Sequence, residues 1–404
     1  LHGDFRGDKK TGATQTPVYQ SSAFEHASAE TLEKIFNNKA PGFSYSRISN
    51  PTVDAFERRM TALEGGIASV SCASGMAAIT NAFTNILRSG DEIVCSASLY
   101  GGSIDLFRDL ENFGIKTHYV ENNNIEQFEA ATNDNTRLYF AETIGNPRLD
   151  VTDIKLLSEA AHKAGVPLII DNTVATAYLI KPIEYGADIV VNSTSKYVNG
   201  NSNSISGVIT DSGNFKWDSV KYPGMKEYAK FGPYAYTAKL RNGIYRNTGA
   251  CLSPQNAFYN ILGIETLGLR MERITDNALK LAEYLDTNYS FLNVNYPGLK
   301  SSEFHAIADK ELNNGYGGII TIRTGSKENA FKFINALKLP LNVSNIGDTK
   351  TLVIHPGSTI SAHSTEEEKK IAGVFDDLVR ISVGIEDIED LIEDFTQAVE
   401  FIQQ

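Results

Sequence analysis

Between residues 51 and 191, short apolar runs rich in β-branched residues alternate with longer segments whose apolar positions recur every three or four residues. Runs of the first kind are Ala68 to Ala73, Asp91 to Cys95, Lys116 to Val120, Arg137 to Ala141, Val166 to Asp171 and Ala187 to Val191. They read as strands, too short for helices and bounded by turn residues. Segments of the second kind begin with Pro51 to Leu63, where Val53, Phe56, Met60 and Leu63 share a face. Asn50 is placed to cap that helix, Pro51 suits its first position and Gly65-Gly66 ends it. Helices follow through Ile79, Phe83, Ile86 and Leu87, through Leu106, Leu110 and Phe113, over Ile125 to Ala131 and over Ile154 to Ala164. Such alternation predicts an α/β fold, a mostly parallel sheet wrapped by helices.

The pattern changes after residue 191. Gly207-Val208-Ile209 predicts one more strand, whereas Asp211 to Arg246 is polar, aromatic and irregular and is expected to form no regular element. From Ser253 a long helical pattern, carried by Phe258, Ile261, Leu262, Ile264, Leu267, Ile274, Leu281 and Leu285, leads the chain away from the first sheet. Strands at Gly318 to Ile322, Thr351 to His355 and Leu378 to Val383, a helix at Ala330 to Leu337 and an acidic amphipathic helix from Glu386 describe a smaller α+β C-terminal domain. At the other end, Thr11 to Arg47 holds turn residues, isolated aromatics and one helical patch at Ala29 to Asn37, and reads as an arm. Its Phe24, Phe43 and Tyr45 call for a covering surface, either its own domain or a neighbouring subunit. The expected division is an arm over 1–47, an α/β domain over 48–245 and an α+β domain over 246–404.

Composition narrows the class. A chain of 404 residues exceeds the size at which one core stops growing. With 42% hydrophobic and 21% charged residues it is an ordinary globular protein. A net charge of −12 and the lack of any Lys/Arg cluster argue against a nucleic-acid or anionic-membrane partner. Cys72, Cys95 and Cys251 are odd in number and widely spaced, which suits buried thiols in a reducing compartment. The seven histidines include no HExxH, so no metal is expected, and His355 and His363 read as hydrogen-bonded loop residues. Leu1 to Lys10 has no apolar export core, and no run approaches the ~18 residues of a membrane span, so a cytoplasmic location is expected. Because numbering starts at Leu1 rather than Met, a few residues are expected to precede it.

Candidate chemistry sits at the predicted strand ends. Asn192-Ser193-Thr194-Ser195-Lys196-Tyr197 follows the strand at Ile189 to Val191, and in open α/β sheets ligands bind at that end. A partly desolvated lysine there can form a Schiff base with a carbonyl cofactor; a solvated loop lysine is the alternative. Asp171 closes the preceding strand, where it either holds a heteroaromatic nitrogen protonated or caps the next helix. Ser74-Gly75-Met76 opens a helix and can seat a phosphate. Tyr100 either stacks on a flat ring or covers its own strand. Arg380 either clamps a carboxylate or forms a structural ion pair. One ligand, pyridoxal 5′-phosphate, asks for Lys196, Asp171 and the phosphate seat together.

These residues stand in motifs that resemble the Cys/Met-metabolism pyridoxal-phosphate enzymes, a family of cystathionine synthases and lyases, methionine γ-lyase and O-acetylhomoserine sulfhydrylase. The resemblance runs through Phe43-Ser44-Tyr45-Ser46-Arg47, Asn50-Pro51-Thr52, Ala62-Leu63-Glu64-Gly65-Gly66, Ala73-Ser74-Gly75-Met76-Ala77-Ala78, Tyr100-Gly101-Gly102, Asp171-Asn172-Thr173 and Ser193-Thr194-Ser195-Lys196-Tyr197. It implies a fold type I transferase in which Lys196 holds the cofactor and then moves protons, Asp171 pairs with the pyridinium and Tyr100 stacks on the ring. Gly75, Met76, Ser193 and Ser195 would take the phosphate, joined by Tyr45 and Arg47 of a neighbouring subunit, so that a homotetramer is expected to work as a dimer of dimers. Asn146, Ser344 and Arg380 would hold the substrate carboxylate and the cofactor edge, and Tyr45 or Tyr100 would assist proton transfer.

Within the family, Glu142 to Pro147, Asp211 to Phe215 and Arg246 to Pro254 are similar to O-acetylhomoserine sulfhydrylases, and Gly102 replaces a cysteine of methionine γ-lyases. The implied reaction is γ-replacement on O-acetyl-L-homoserine by sulfide or a thiol, giving homocysteine or methionine and acetate. Elimination or replacement of the methionine γ-lyase or cystathionine synthase/lyase type is the alternative. Asn192, where many relatives carry His, and Ile360, near a common Thr, are departures that bear on substrate preference.

Overall fold

The computed structural model describes residues 7–8 and 11–403. Most of Leu1 to Lys10, on which the expectation about an export signal falls, lies outside the described residues. Seven strands, β1 (Ala68–Cys72), β2 (Glu92–Ser96), β3 (Lys116–Val120), β4 (Thr136–Glu142), β5 (Leu168–Asp171), β6 (Ile189–Asn192) and β7 (Gly207–Asp211), form the large sheet. Their order is β1-β7-β6-β5-β4-β2-β3, with β7 antiparallel to both neighbours and every other pair parallel. The central strands are buried along their length, as expected of a sheet covered on both faces. On one face the aromatic rings of Phe83, Phe107 and Phe140 meet edge-on or stacked, with centroids 5.1 to 5.7 Å apart.

A second, mixed sheet has β8 (Ile319–Arg323), β9 (Leu341–Asn342), β10 (Leu352–Ile354) and β11 (Leu378–Ser382) in the order β8-β11-β10-β9. β9 has only two residues, both exposed, and therefore carries no apolar pattern that a sequence reading could find. The helix Pro254–Asn288 runs past both sheets, a length of about 52 Å at 1.5 Å per residue. Its first turns bury Ala257 and Ile261 against Val53, Phe56 and Met60; Leu267, Met271 and Ile274 join the core beneath the large sheet. Ala278, Leu281 and Leu285 join the core of the small sheet. One apolar stripe thus fixes where the two sheets stand relative to each other.

One expectation is corrected. Residues 211–246 are not irregular throughout: 3₁₀ turns over Pro223–Tyr234 lead into helices at Ala235–Asn242 and Ile244–Thr248. Gly232 at φ 57° and Gly243 cut this stretch into pieces too short to show a period, yet Tyr236, Leu240 and Tyr245 are buried. Trp217 stacks on Tyr236 at 5.4 Å.

The helix Pro51–Glu64 begins as expected, with the Asn50 side chain accepting the N–H of Thr52, and it ends on a buried carboxyl. Glu64 accepts from Nδ2 of Asn192 at 2.8 Å and of Asn172 at 3.4 Å, so it ties together the residues next to the ends of β5 and β6. Burial raises its carboxyl to about 7, against the pull of those two amides. A group raised in the folded state contributes stability in full below its unfolded value of 4.5 and loses it as pH rises through about 7. Glu64→Gln, which stays neutral, should therefore gain on the native protein between about pH 4.5 and about pH 7, by roughly 3 kcal/mol at the top of that range. Unfolding midpoints of both proteins across this range test it; a difference that does not vary with pH would contradict the buried ionisation.

Candidate active site

The C-terminal ends of β4, β5 and β6 open on a cleft of about 400 Å³. Lys196 reaches it from the turn after β6, where its N–H donates to the Ser193 carbonyl at 3.2 Å and its own carbonyl accepts from Gly200 at 2.8 Å. Arg270, on the long helix, holds that turn from behind: Nη1 donates to the Tyr197 carbonyl at 2.6 Å and Nη2 to that of Val198 at 3.2 Å. Burial, and then the charge of Arg380, lower the Lys196 amine to about 8. Its Nζ donates to Oδ1 of Asn345 at 2.5 Å.

Asp171 enters the cleft from the end of β5, raised by burial to about 6 against hydrogen bonds from Thr173. Beside it, in register across the strand pair, stands Glu142 on β4, pushed well above the usual carboxylate range by burial and by Asp171. Glu142 Oε1 accepts the N–H of Tyr100 at 2.6 Å, which fixes the chain where the half-exposed Tyr100 ring meets the cleft. A Cβ on Gly102 would lie 2.5 Å from that ring, so the glycine leaves Tyr100 room.

Ser74 caps the helix Gly75–Thr84 through the N–H of Ala77 at 3.0 Å. Gly75 and Met76 line the cleft in its first turn, whose N–H groups have no partner within the helix. A Cβ on Gly75 would sit 2.5 Å from that of Ser193, so only glycine lets the helix start so close to the end of β6. Ser193 and Ser195 complete this wall; Ser195 Oγ donates to the Ser206 carbonyl at 3.0 Å and accepts its N–H at 2.8 Å. From the small sheet, β11 carries the buried Arg380, whose Nη1 donates to Asn146 Oδ1 at 3.2 Å. Burial lowers its guanidinium to about 10, and no carboxylate pairs with it among the described residues. Ser344 and Ile360 also line the cleft.

Three of the residues singled out from sequence do not line the cleft. Tyr45 is exposed, and Arg47 lies over its ring at 5.5 Å while donating to the Arg246 carbonyl at 2.6 Å; neither lines the cleft of its own chain. Asn192 lies behind the wall on Glu64 and does not line the cleft, whereas Ile360 does. Sequence reasoning overlooked Glu142, Thr173, Ser202 and Asn345. Only Glu142 and Thr173 carried a usable signal, standing at or just past predicted strand ends.

The donor set suits a ligand with an aldehyde, a basic ring nitrogen and a phosphate: a desolvated amine, a carboxyl without a cation and a helix N-terminus flanked by serines. Such a cleft at the strand ends of an α/β sheet defines a lysine-centred enzyme. The family model described as Cys/Met metabolism PLP-dependent enzyme matches residues 1–400, and the chain belongs to that family. It is 43% identical to the O-acetyl-L-homoserine sulfhydrylase of Corynebacterium glutamicum over 98% of this chain and 94% of the relative. Identity to the homocysteine synthase of Schizosaccharomyces pombe is 40%, over 99% of this chain and 97% of that protein. A crystal structure from Campylobacter jejuni, assigned as an O-acetylhomoserine (thiol)-lyase and containing N′-pyridoxyl-lysine-5′-monophosphate, superposes with a TM-score of 0.93. It is 32% identical and covers 99% of this chain and 98% of its own.

With its amine at about 8, Lys196 should react with pyridoxal 5′-phosphate over a pH range well below that of an exposed lysine. Borohydride trapping on cofactor-free protein should label Lys196 with a midpoint near pH 8, and Lys196→Ala should abolish the label. A midpoint near that of free lysine would refute the desolvation.

Proposed function

We infer that this protein is a pyridoxal-phosphate-dependent sulfhydrylase that replaces the acetoxy group of O-acetyl-L-homoserine with sulfide or a thiol, giving homocysteine or methionine and acetate. The observation that carries this reading is the agreement of near-full-length relatives on O-acetylhomoserine sulfhydrylase or homocysteine synthase. When bound, pyridoxal phosphate supplies an aldehyde for a lysine and a protonated ring that draws electrons from the substrate α carbon. The remaining work falls to the chain's own residues.

Lys196 holds the cofactor and, once the substrate amine displaces it, its Nζ takes the α proton and later returns a proton to the substrate carbons. Asp171 keeps the ring nitrogen protonated, a role that suits a buried carboxyl with no cation paired to it among the described residues. The helix start at Gly75 and Met76, with Ser193 and Ser195, takes the phosphate; the Ser195 hydroxyl turns from the Ser206 carbonyl to do so. Tyr100 covers the ring, and Tyr100 or Tyr45 assists proton transfer. Arg380, a buried cation without an anionic partner among the described residues, receives the substrate carboxylate beside Ser344 and Asn146.

Tyr45 and Arg47, which their own chain keeps away from the cleft, are assigned to the phosphate of a neighbouring subunit, with residues 1–47 as the arm that delivers them. The working form is then a homotetramer, a dimer of dimers in the cytoplasm. We place the domain boundaries near residues 47 and 245, ahead of the first long helix and of the one that reaches the small sheet. No helix among the described residues is long and apolar enough to cross a membrane.

Purified protein loaded with cofactor should form homocysteine and acetate from O-acetylhomoserine and sulfide. Rapid 2-oxobutyrate from methionine, with no homocysteine in the first mixture, would assign it to γ-elimination instead. Arg380→Ala should raise KM for O-acetylhomoserine about a hundredfold, because a charge-assisted bidentate pair is lost, while the visible band of the lysine-linked cofactor persists. An unchanged KM would remove Arg380 from the carboxylate site.

A further inference from the structure

The partner of the Lys196 amine is a neutral amide, and a chain of three side chains sets which way that amide faces. Asn345 Oδ1 accepts from Lys196 Nζ at 2.5 Å, and Asn345 Nδ2 donates to Ser202 Oγ at 2.8 Å. Ser202 Oγ in turn donates to Asp348 Oδ2. Asp348 is buried; burial alone would raise its carboxyl, but Lys350 and Ser202 outweigh this and hold it below its usual value. Lys350 Nζ lies 2.7 Å from Oδ1, and the Lys350 N–H donates to the same oxygen at 3.0 Å.

Polarity then follows without ambiguity. An ionised carboxylate only accepts, so the Ser202 hydroxyl must give it its hydrogen and keep its lone pairs for the amide N–H. The amide oxygen is what remains for the lysine. Ser202 holds this post at φ 53°, a left-handed backbone that a non-glycine residue adopts only when its surroundings enforce it. Asn345 is held from the backbone side as well, its carbonyl accepting from Arg380 Nη2 at 3.1 Å. A single residue therefore sets the spacing between the cleft's amine and its guanidinium.

We propose that Asn345 is the seat that receives the Lys196 amine whenever it is free of the cofactor, and that Ser202 and Asp348 exist to keep an amide oxygen facing it. This rests on the reading of Lys196 given above. A neutral acceptor aims the amine at the α carbon of a substrate held by Arg380 without stabilising the ammonium form, as a carboxylate would. The other titratable groups lining the cleft are Tyr100, Glu142, Asp171 and Arg380, and of these Arg380 adds its charge to the effect of burial on the amine. Asn345 is a positioning residue: it acts through Lys196.

The test compares native protein, Asn345→Asp and Ser202→Ala. In cofactor-free protein, the pH midpoint for attachment of pyridoxal 5′-phosphate to Lys196 should rise by about one unit or more in Asn345→Asp, since a new carboxylate stabilises the ammonium. In loaded enzyme, Ser202→Ala should lower kcat about tenfold with KM for O-acetylhomoserine within about twofold, because the amide loses its orientation and the base its aim. The isotope effect with α-deuterated substrate should rise in that variant, a change that a purely structural residue would not cause. A native midpoint in Asn345→Asp, or a native kcat and isotope effect in Ser202→Ala, overturns the proposal while the cofactor reading stands. Native protein that attaches no cofactor at Lys196 overturns both.

Discussion

Two basic and two acidic groups share one desolvated cleft, and among the described residues none of the four is ion-paired with another. Lys196 meets the amide of Asn345, Arg380 the amide of Asn146, Asp171 its neighbour Thr173, and Glu142 a backbone N–H. Burial accordingly moves each toward its neutral form: the amine to about 8, the guanidinium to about 10, Asp171 to about 6 and Glu142 further still. Such groups are costly to hold unpaired, and each gains when a ligand brings the complementary charge. In the function proposed above, a substrate carboxylate and a pyridinium nitrogen would bring such charges to Arg380 and Asp171, and an aldehyde would take up the amine of Lys196. Glu142 remains; burial, and then the charge of Asp171 beside it, push its carboxyl well above the usual range while it holds the backbone of Tyr100.

The rest of the molecule serves to keep these groups apart and in place. Parallel strand ends bring Glu142, Asp171 and the Lys196 turn to one edge, which a sheet of alternating βα units does by its topology. Glu64 ties the ends of β5 and β6 from below, and Arg270 secures the carbonyls after Lys196. Arg380, Ser344 and Asn345 arrive from the other sheet, so the cleft is complete only where the two sheets meet. That meeting is governed by the helix Pro254–Asn288, whose one stripe packs on both cores.

How much of this could be read from sequence follows from the range of each interaction. The strands, the capped helix after Asn50 and the placing of Lys196, Asp171 and Gly75 at element ends rest on local periodicity and turn chemistry, and they stand in the structure close to where they were expected. Asn345 reaches Lys196 across 149 residues and Arg380 reaches Asn146 across 234. The helices at Ala235–Asn242 and Ile244–Thr248 were hidden because glycines cut them short and their buried rings find partners on another element. Asn192, a departure from many relatives that bears on substrate preference, has its amide on Glu64, behind the cleft wall, a partner 128 residues away.

By itself, then, the sequence determined the α/β class, the lysine-bearing turn and the capped helix start at Gly75, because each depends on residues within a few positions of one another. Tertiary structure alone decided which groups face one another across the cleft, that its charges are kept unpaired, and that an amide rather than a carboxylate meets the Lys196 amine. Those outcomes depend on burial and on distances between elements far apart in the chain, quantities that come into being only when the two sheets pack.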